Sequence, residues 1–117
     1  MWFMGIVRDV FYYRHYYLTF FEKQSFAVQK KMNWVIGLIV TTPMVPVLFF
    51  KSISGTNGLF EIRIDSGGNT FRIFCFFEAE KKLIILNAFQ KKTMKLPKKE
   101  IEKAKRLKIE YYEEKGK

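Results

Sequence analysis

Apolar and polar residues recur along the chain with two different periods, and the switches between them mark its elements. Ile6–Tyr13 (IVRDVFYY) is β-branched and aromatic and predicts an opening strand. Tyr17–Lys23 predicts a short helix. Ser25 then offers an N-cap for a longer helix. Along it Val28, Met32, Val35, Ile36, Ile39 and Val40 recur at helical spacing and leave Gln29, Lys30 and Asn33 facing water. Pro43 ends that helix, and SGTNG at Ser54–Gly58 is a turn cluster.

The period then changes to two. In Leu59–Asp65 (LFEIRID), Phe60, Ile62 and Ile64 point one way while Glu61, Arg63 and Asp65 point the other, the pattern of a half-buried strand. SGGN at Ser66–Asn69 supplies the positive backbone angles of a tight hairpin. Phe71–Phe77 returns antiparallel, Glu78–Lys82 turns again, and Leu83–Phe89 gives a third strand. Pro97 suits the first turn of a terminal helix with Ile101, Ala104, Leu107, Lys108 and Tyr111 on one stripe. Glu100–Lys103 and Glu102–Arg106 pair along it, and Lys115–Lys117 frays. Strand, two helices, antiparallel meander and helix predict one α+β domain over residues 1–117, with helices on one face of the sheet.

The uncharged run from Met32 to Phe50 approaches the roughly 20 residues of a membrane-spanning helix. Pro43 and Pro46 lie inside it, each removing a backbone donor and crowding the preceding turn, which argues against a span. MWFMGIVRDV lacks a basic start, a sustained apolar stretch and a small-residue cleavage site, so it does not read as a secretory signal. The reading is a cytoplasmic protein that does not engage a membrane.

At 117 residues, 49% hydrophobic and 27% charged, the chain has enough apolar material for a modest core, which excludes wholesale disorder. Its single cysteine, Cys75, excludes an internal disulfide framework and a cysteine-built zinc site. Set in an apolar strand, it reads as an inert core thiol. The single histidine, His15, excludes serine–histidine and paired-histidine catalysis within a monomer. Among Tyr12, Tyr13, Tyr16 and Tyr17 it reads as a surface or core-edge residue beside an aromatic strand–helix joint.

Charge changes the picture most. The net charge is +10, yet Met1–Glu80 holds eight basic and six acidic residues, whereas Lys81–Lys108 holds eleven basic residues against Glu100 and Glu102. A basic third beside a near-neutral body suggests a phosphate-binding face, the alternative being a solvated helix face kept for solubility. No glycine-rich phosphate loop is present, because Gly67 and Gly68 sit in a hairpin with no helix after them. What remains is cationic chemistry on a sheet. The SGGN turn brings Arg63 and Arg72 within a few residues of registry, and Asn87, Phe89 and Lys91 share a parity, with Lys92 following. Arginine and lysine hold a phosphate and neutralise charge growing in its transition state, and an exposed phenylalanine stacks on a base. The competing reading pairs Arg63 with Asp65 or Glu61 and puts Phe89 in the core.

Three motifs within Gly58–Leu107 resemble a known family: L-x-E-[IL]-R at Leu59–Arg63, G-N-x-[FY]-R-[IV]-F at Gly68–Phe74, and N-x-F-x-K-K-T-x-K-x-P-x-x-E-I at Asn87–Ile101. Together they look like the phage-derived, HigB-like branch of the RelE/HigB toxin superfamily. The N-terminal half matches in element order, with Lys51 before the hairpin. The resemblance implies a RelE-like fold, two N-terminal helices packed on a twisted antiparallel sheet with a C-terminal helix. It implies a type II toxin that cleaves mRNA in the ribosomal A site, contacts ribosomal RNA, and is inhibited by a HigA-like helix-turn-helix antitoxin encoded beside it. DNA would be reached only through that antitoxin.

Cleavage through the RNA's own 2′-hydroxyl needs no cofactor, metal or protein nucleophile, only alignment, charge compensation and proton transfer. Carried over by position, the resemblance gives Arg63 and Arg72 the phosphate and Lys91 and Lys92 further cationic contacts. Phe89 would stack on a base, and Lys51 would make a backbone or proton-handling contact. Lys95, Lys98 and Lys99 would bind RNA, as part of a basic face continuing along Lys98–Lys108. The chain departs from the family in having no tyrosine between Leu18 and Glu110 and no histidine after His15, so a near-neutral base is missing. TTPMVPVLFF is also unusually apolar; it packs under the sheet or buries against the antitoxin. The alternative function is a non-catalytic RNA- or ribosome-binding module. It is distinguished by whether Arg63 and Arg72 converge on one concave spot without a carboxylate partner.

Overall fold

Ser25 closes the first turn of a sixteen-residue helix by accepting from the Val28 N–H, and Val28, Met32, Val35, Ile36 and Ile39 form its buried face. The structure is a computed structural model describing residues 5–116; the first four residues of the segment read as lacking a leader, and Lys117 of the expected fraying tail, lie outside these. Its elements run β1 (Asp9–Tyr12), α1 (Tyr16–Glu22), α2 (Phe26–Thr41), β2 (Phe50–Ser52), β3 (Leu59–Ser66), β4 (Asn69–Ala79), β5 (Lys82–Lys91) and α3 (Lys98–Lys115). Gly67 and Gly68 both take positive φ, 57° and 82°, as a two-residue hairpin between β3 and β4 demands. No helix among the described residues is long and apolar enough to cross a membrane. The uncharged run instead leaves its helix at Thr41, where the Arg8 guanidinium caps the carbonyls of Ile39, Thr42 and Pro43.

The fold is α+β, as expected, with a five-stranded sheet in the order β1-β5-β4-β3-β2. It departs from expectation in three ways. The sheet is mixed, because β1 lies parallel to β5 while all other pairs are antiparallel. The edge strand β2 starts at the last residue of the apolar run, and its three residues give no periodicity to read. Helices cover both faces. On one side Met32, Val35 and Ile39 pack with Ile62, Ile64, Ile73, Cys75 and Ile85. On the other Ala104 and Leu107 pack with Leu59, Phe74, Phe76, Ile84 and Leu86. The alternation in β3 therefore does not separate core from water, and Glu61 is buried.

Two irregularities re-aim side chains. Ile73 opposes Ala88 but Cys75 opposes Ile85, so β5 carries one extra residue at Leu86–Asn87. That bulge reverses the strand's parity and places Phe89 on the α3 side together with Ile84 and Leu86. A second bulge at Glu78 shortens the expected turn, so Ala79 already pairs with Lys82. In α3 the side-chain pairs are Glu102–Lys105 at 3.9 Å and Arg106–Glu110 at 3.7 Å rather than those expected, because Glu100 receives Asn87 Nδ2 at 3.0 Å. The helix runs through Lys115 rather than fraying there.

Lys115 is held by Glu78, whose carboxylate also meets Lys82 Nζ at 2.9 Å. Hydrogen bonding from Lys115, then from Lys82, pulls the Glu78 carboxyl from its ordinary value of 4.5 down to about 2. A depressed carboxyl stabilises the fold above its unfolded pKa and loses that contribution as pH falls through its folded one. Urea midpoints should therefore fall between pH 5 and pH 2. Glu78→Gln should be less stable at pH 7 and lose less over that window; equal acid sensitivity in the two proteins would remove Glu78 from the account.

Candidate phosphate-binding cleft

The two-residue hairpin sets the register, and the register builds the site. Arg63 lies directly opposite Arg72, and two rungs away, on the same face of the sheet, Lys51 of β2 lies opposite Glu61 of β3. All four side chains, with Lys91 from the end of β5, line a cleft of about 470 Å³ whose walls include Ile53, Met94 and Leu96. Like charges directly opposite one another destabilise a sheet, so an Arg–Arg rung calls for a compensating anion. Glu61 supplies one within the protein. Its Oε1 stands 2.6 Å from Arg72 Nε and 3.8 Å from Arg63 Nε.

The Glu61 and Arg72 side chains are 9% and 6% exposed, so this is a buried ion pair. The Arg72 Nε–H is not aimed at the carboxylate oxygen, which makes the pair a charge contact rather than a locked fork. Arg72 is oriented instead by Nη1 donating to the Phe71 carbonyl at 3.0 Å. Arg63 is 31% exposed and reaches solvent. With four cations and one carboxylate, the cleft keeps a surplus of three positive charges, suited to a phosphodiester.

The remaining expected site residues divide. Lys91 lines the cleft, but its ammonium donates to the Thr93 and Met94 carbonyls at 2.6 and 2.9 Å, so it also shapes the cleft's lip. Lys51 is exposed at the cleft wall. Lys92, Lys95, Lys98 and Lys99 are exposed on the loop after β5 and the first turn of α3, outside the lining. Phe89 requires a correction. It is 7% exposed and packs edge-on against Phe74 at 5.1 Å, so its ring belongs to the core and is not offered to a base. The apolar groups that line the cleft are Ile53, Leu96 and the almost fully exposed Met94.

Glu61 is more than the neutralising partner of Arg63 that the sequence suggests, because it also pairs with Arg72 and lines the cleft. Its parity with Arg63 on β3 was the available signal that it shares the cleft. His15 is exposed in a separate hollow with Arg14, Lys23 and Lys103. Cys75 is fully buried, and burial pushes its thiol well above the ordinary value, as an inert core thiol requires. The Thr41–Phe50 run packs Val45, Phe49 and Phe50 against the α2 core but leaves Met44, Val47 and Leu48 exposed. A larger hollow, about 520 Å³, lies between α3 and the Ser54–Gly58 turn, where Lys108 is engaged by the Asn57 carbonyl at 2.8 Å and Lys105 by Glu102. Among the described residues no cluster of three or more His, Cys, Asp or Glu side chains could hold a metal ion.

A family model described as phage derived protein Gp49-like (DUF891) matches residues 19–108, a span that contains every residue of the cleft. No curated protein matches the chain.

Proposed function

Because the chain belongs to the phage-derived Gp49-like family, a family of RelE/HigB-like toxins, we propose that it is the toxin of a type II toxin–antitoxin pair and cuts mRNA on the ribosome. Residues 1–117 form one toxin domain in this reading. The observation that carries it is the convergence of Arg63 and Arg72 on one rung of the sheet, in a cleft shared with Lys51 and Lys91.

The chemistry is attack of the 2′-oxygen on the adjacent phosphorus. It forms a cyclic phosphate and expels the 5′-oxygen of the next nucleotide. Arg63 and Arg72 hold the non-bridging oxygens and offset the charge that grows on them. Glu61, the carboxylate among these cations, accepts the 2′-hydroxyl proton and fills a role for which no tyrosine or histidine lines the cleft. The leaving 5′-oxygen takes a proton from the Lys51 ammonium at the cleft wall, which regains one from water while Glu61 releases its own. Met94 and Leu96 offer the base an apolar contact in place of Phe89. Lys92, Lys95, Lys98 and Lys99 present positive charge to ribosomal RNA, and the partner that restrains the toxin is a HigA-like helix-turn-helix antitoxin.

One observation favours a second reading. The Glu61 carboxylate stands beside both arginines, which also suits a non-catalytic ribosome-binding module. Primer extension on a reporter mRNA in a translating extract separates the two. The toxin reading expects new 5′ ends phased with codons, appearing only when ribosomes are present. Ribosome binding without such ends would leave the binding module.

A further inference from the structure

Two hollows meet at the turn between β1 and α1, and Arg14 and His15 line both of them. The first, about 460 Å³, is basic: Lys23, just after α1, and Lys103 of α3 line it beside Thr19. The second, about 400 Å³, is aromatic and is lined by Tyr12, Tyr17, Leu18 and Phe21, with Asn33 of α2. Its rings are ordered against one another, Tyr12 stacking on Tyr17 at 5.2 Å and Tyr17 meeting Phe21 at 5.8 Å. Arg14, which divides the two hollows, takes a φ of 55°. That left-handed conformation is strained for any residue but glycine, and such strain gathers at ligand sites. Tyr12–Leu18 lie ahead of residue 19, where the segment shared with the family begins. The chemistry of the cleft therefore does not account for them.

The linings say what would fit. No carboxylate lines either hollow. Arg14 is engaged by Glu114, whereas Lys23 and Lys103 have no carboxylate partner among the described residues. The Lys103 ammonium rests instead 5.1 Å from the Tyr16 ring centroid. Two uncompensated ammoniums in one recess suit a phosphate. In the aromatic hollow Tyr12 is 48% exposed and offers its ring to a flat partner. Tyr17 is buried, yet its hydroxyl has no hydrogen-bond partner, which a buried tyrosine ordinarily finds. A heterocycle carrying ring nitrogens answers both features. A bare anion would leave the aromatic hollow unused, and an acyl chain would leave the hydroxyl unpaired.

We propose that this turn binds a nucleoside monophosphate unit. The base stacks on Tyr12 in the aromatic hollow, the sugar crosses the Arg14–His15 turn, and the phosphate lies with Lys23 and Lys103. This second nucleotide site shares no lining residue with the cleft, and it stands whether or not the cleft cuts RNA. A free nucleotide and a residue of single-stranded RNA present the same unit to it.

The test is calorimetric titration of the full chain with AMP, adenosine, inorganic phosphate and a short single-stranded oligoadenylate. AMP should bind at least tenfold more tightly than adenosine or phosphate. Lys23→Gln combined with Lys103→Gln should weaken AMP at least tenfold and leave adenosine unchanged. Tyr12→Thr, which keeps a β-branched residue in β1, should weaken both. Arg63→Ala, in the cleft, should leave AMP affinity as it is. Oligoadenylate that binds with these same sensitivities where AMP does not would make RNA the source of the unit, and the reverse would make it a free nucleotide. Phosphate binding as tightly as AMP would overturn the proposal in favour of a simple anion site. Binding that Arg63→Ala abolishes and the lysine pair leaves unchanged would place the nucleotide in the cleft and overturn it equally. So would the absence of binding by both AMP and oligoadenylate. If Tyr12→Thr lowers the melting temperature, the lysine pair still decides, since neither lysine holds a carboxylate of the fold.

Discussion

Arg63→Ala should reduce ribosome-dependent cleavage by about 10²–10³-fold, the size of effect seen when one preorganised donor to a developing oxyanion is removed. The fold should survive, because the Arg63 side chain is 31% exposed and its charge contact with Glu61 is the longer of the two, 3.8 Å. Melting temperature and single-turnover cleavage on programmed ribosomes, measured on the same preparation, separate the two effects. Arg63→Lys should restore little of the rate, since an ammonium keeps the charge but not the planar fork that grips two phosphate oxygens. Cleavage by Arg63→Ala at the wild-type rate would leave Arg63 as a cross-strand neighbour of Arg72 and remove it from the chemistry.

The second large effect concerns stability. Glu61→Ala leaves the Arg72 guanidinium buried without its counter-charge and directly opposite Arg63, and should cost about 3–5 kcal/mol. Replacing both partners by apolar residues of similar volume, Glu61→Leu with Arg72→Met, should recover most of that loss while abolishing cleavage. Urea unfolding of the two variants and the parent measures both quantities. A single variant as stable as the parent would show that the pair is not the desolvated contact its burial describes. A stable but inactive double variant would assign the buried charges to function rather than to holding the sheet.

Much of this arrangement was legible in the sequence because the relevant signals are short-range. The SGGN turn fixes the β3–β4 register, and with it the Arg63–Arg72 rung. Ser25 and the apolar stripe fix α2. What escaped depends on contacts made at a distance. The strand β2 is three residues long and is recruited by pairing with β3. The burial of Glu61 follows from α3 covering a face that the alternation in β3 marks as polar. The placement of Phe89 turns on one extra residue in β5, and neither Leu86 nor Asn87 carries a glycine or proline to announce it. The residues of the cleft were thus foreseen better than their surroundings, and the one aromatic assigned to substrate was the one the bulge sends inward.

The parallel pairing of β1 with β5 also sets an order of assembly. Asp9 pairs with Lys82 across 73 positions of sequence, whereas the β3–β4 rung closes over the two residues between Ser66 and Asn69. Loop-closure entropy makes the long-range pairing the costlier one to form, so the meander condenses first and β1 is added to it afterwards. During synthesis β1 leaves the ribosome early and waits for the strand it will join. The cationic cleft belongs wholly to the part that closes locally, and it can take shape before the chain's first strand finds its place.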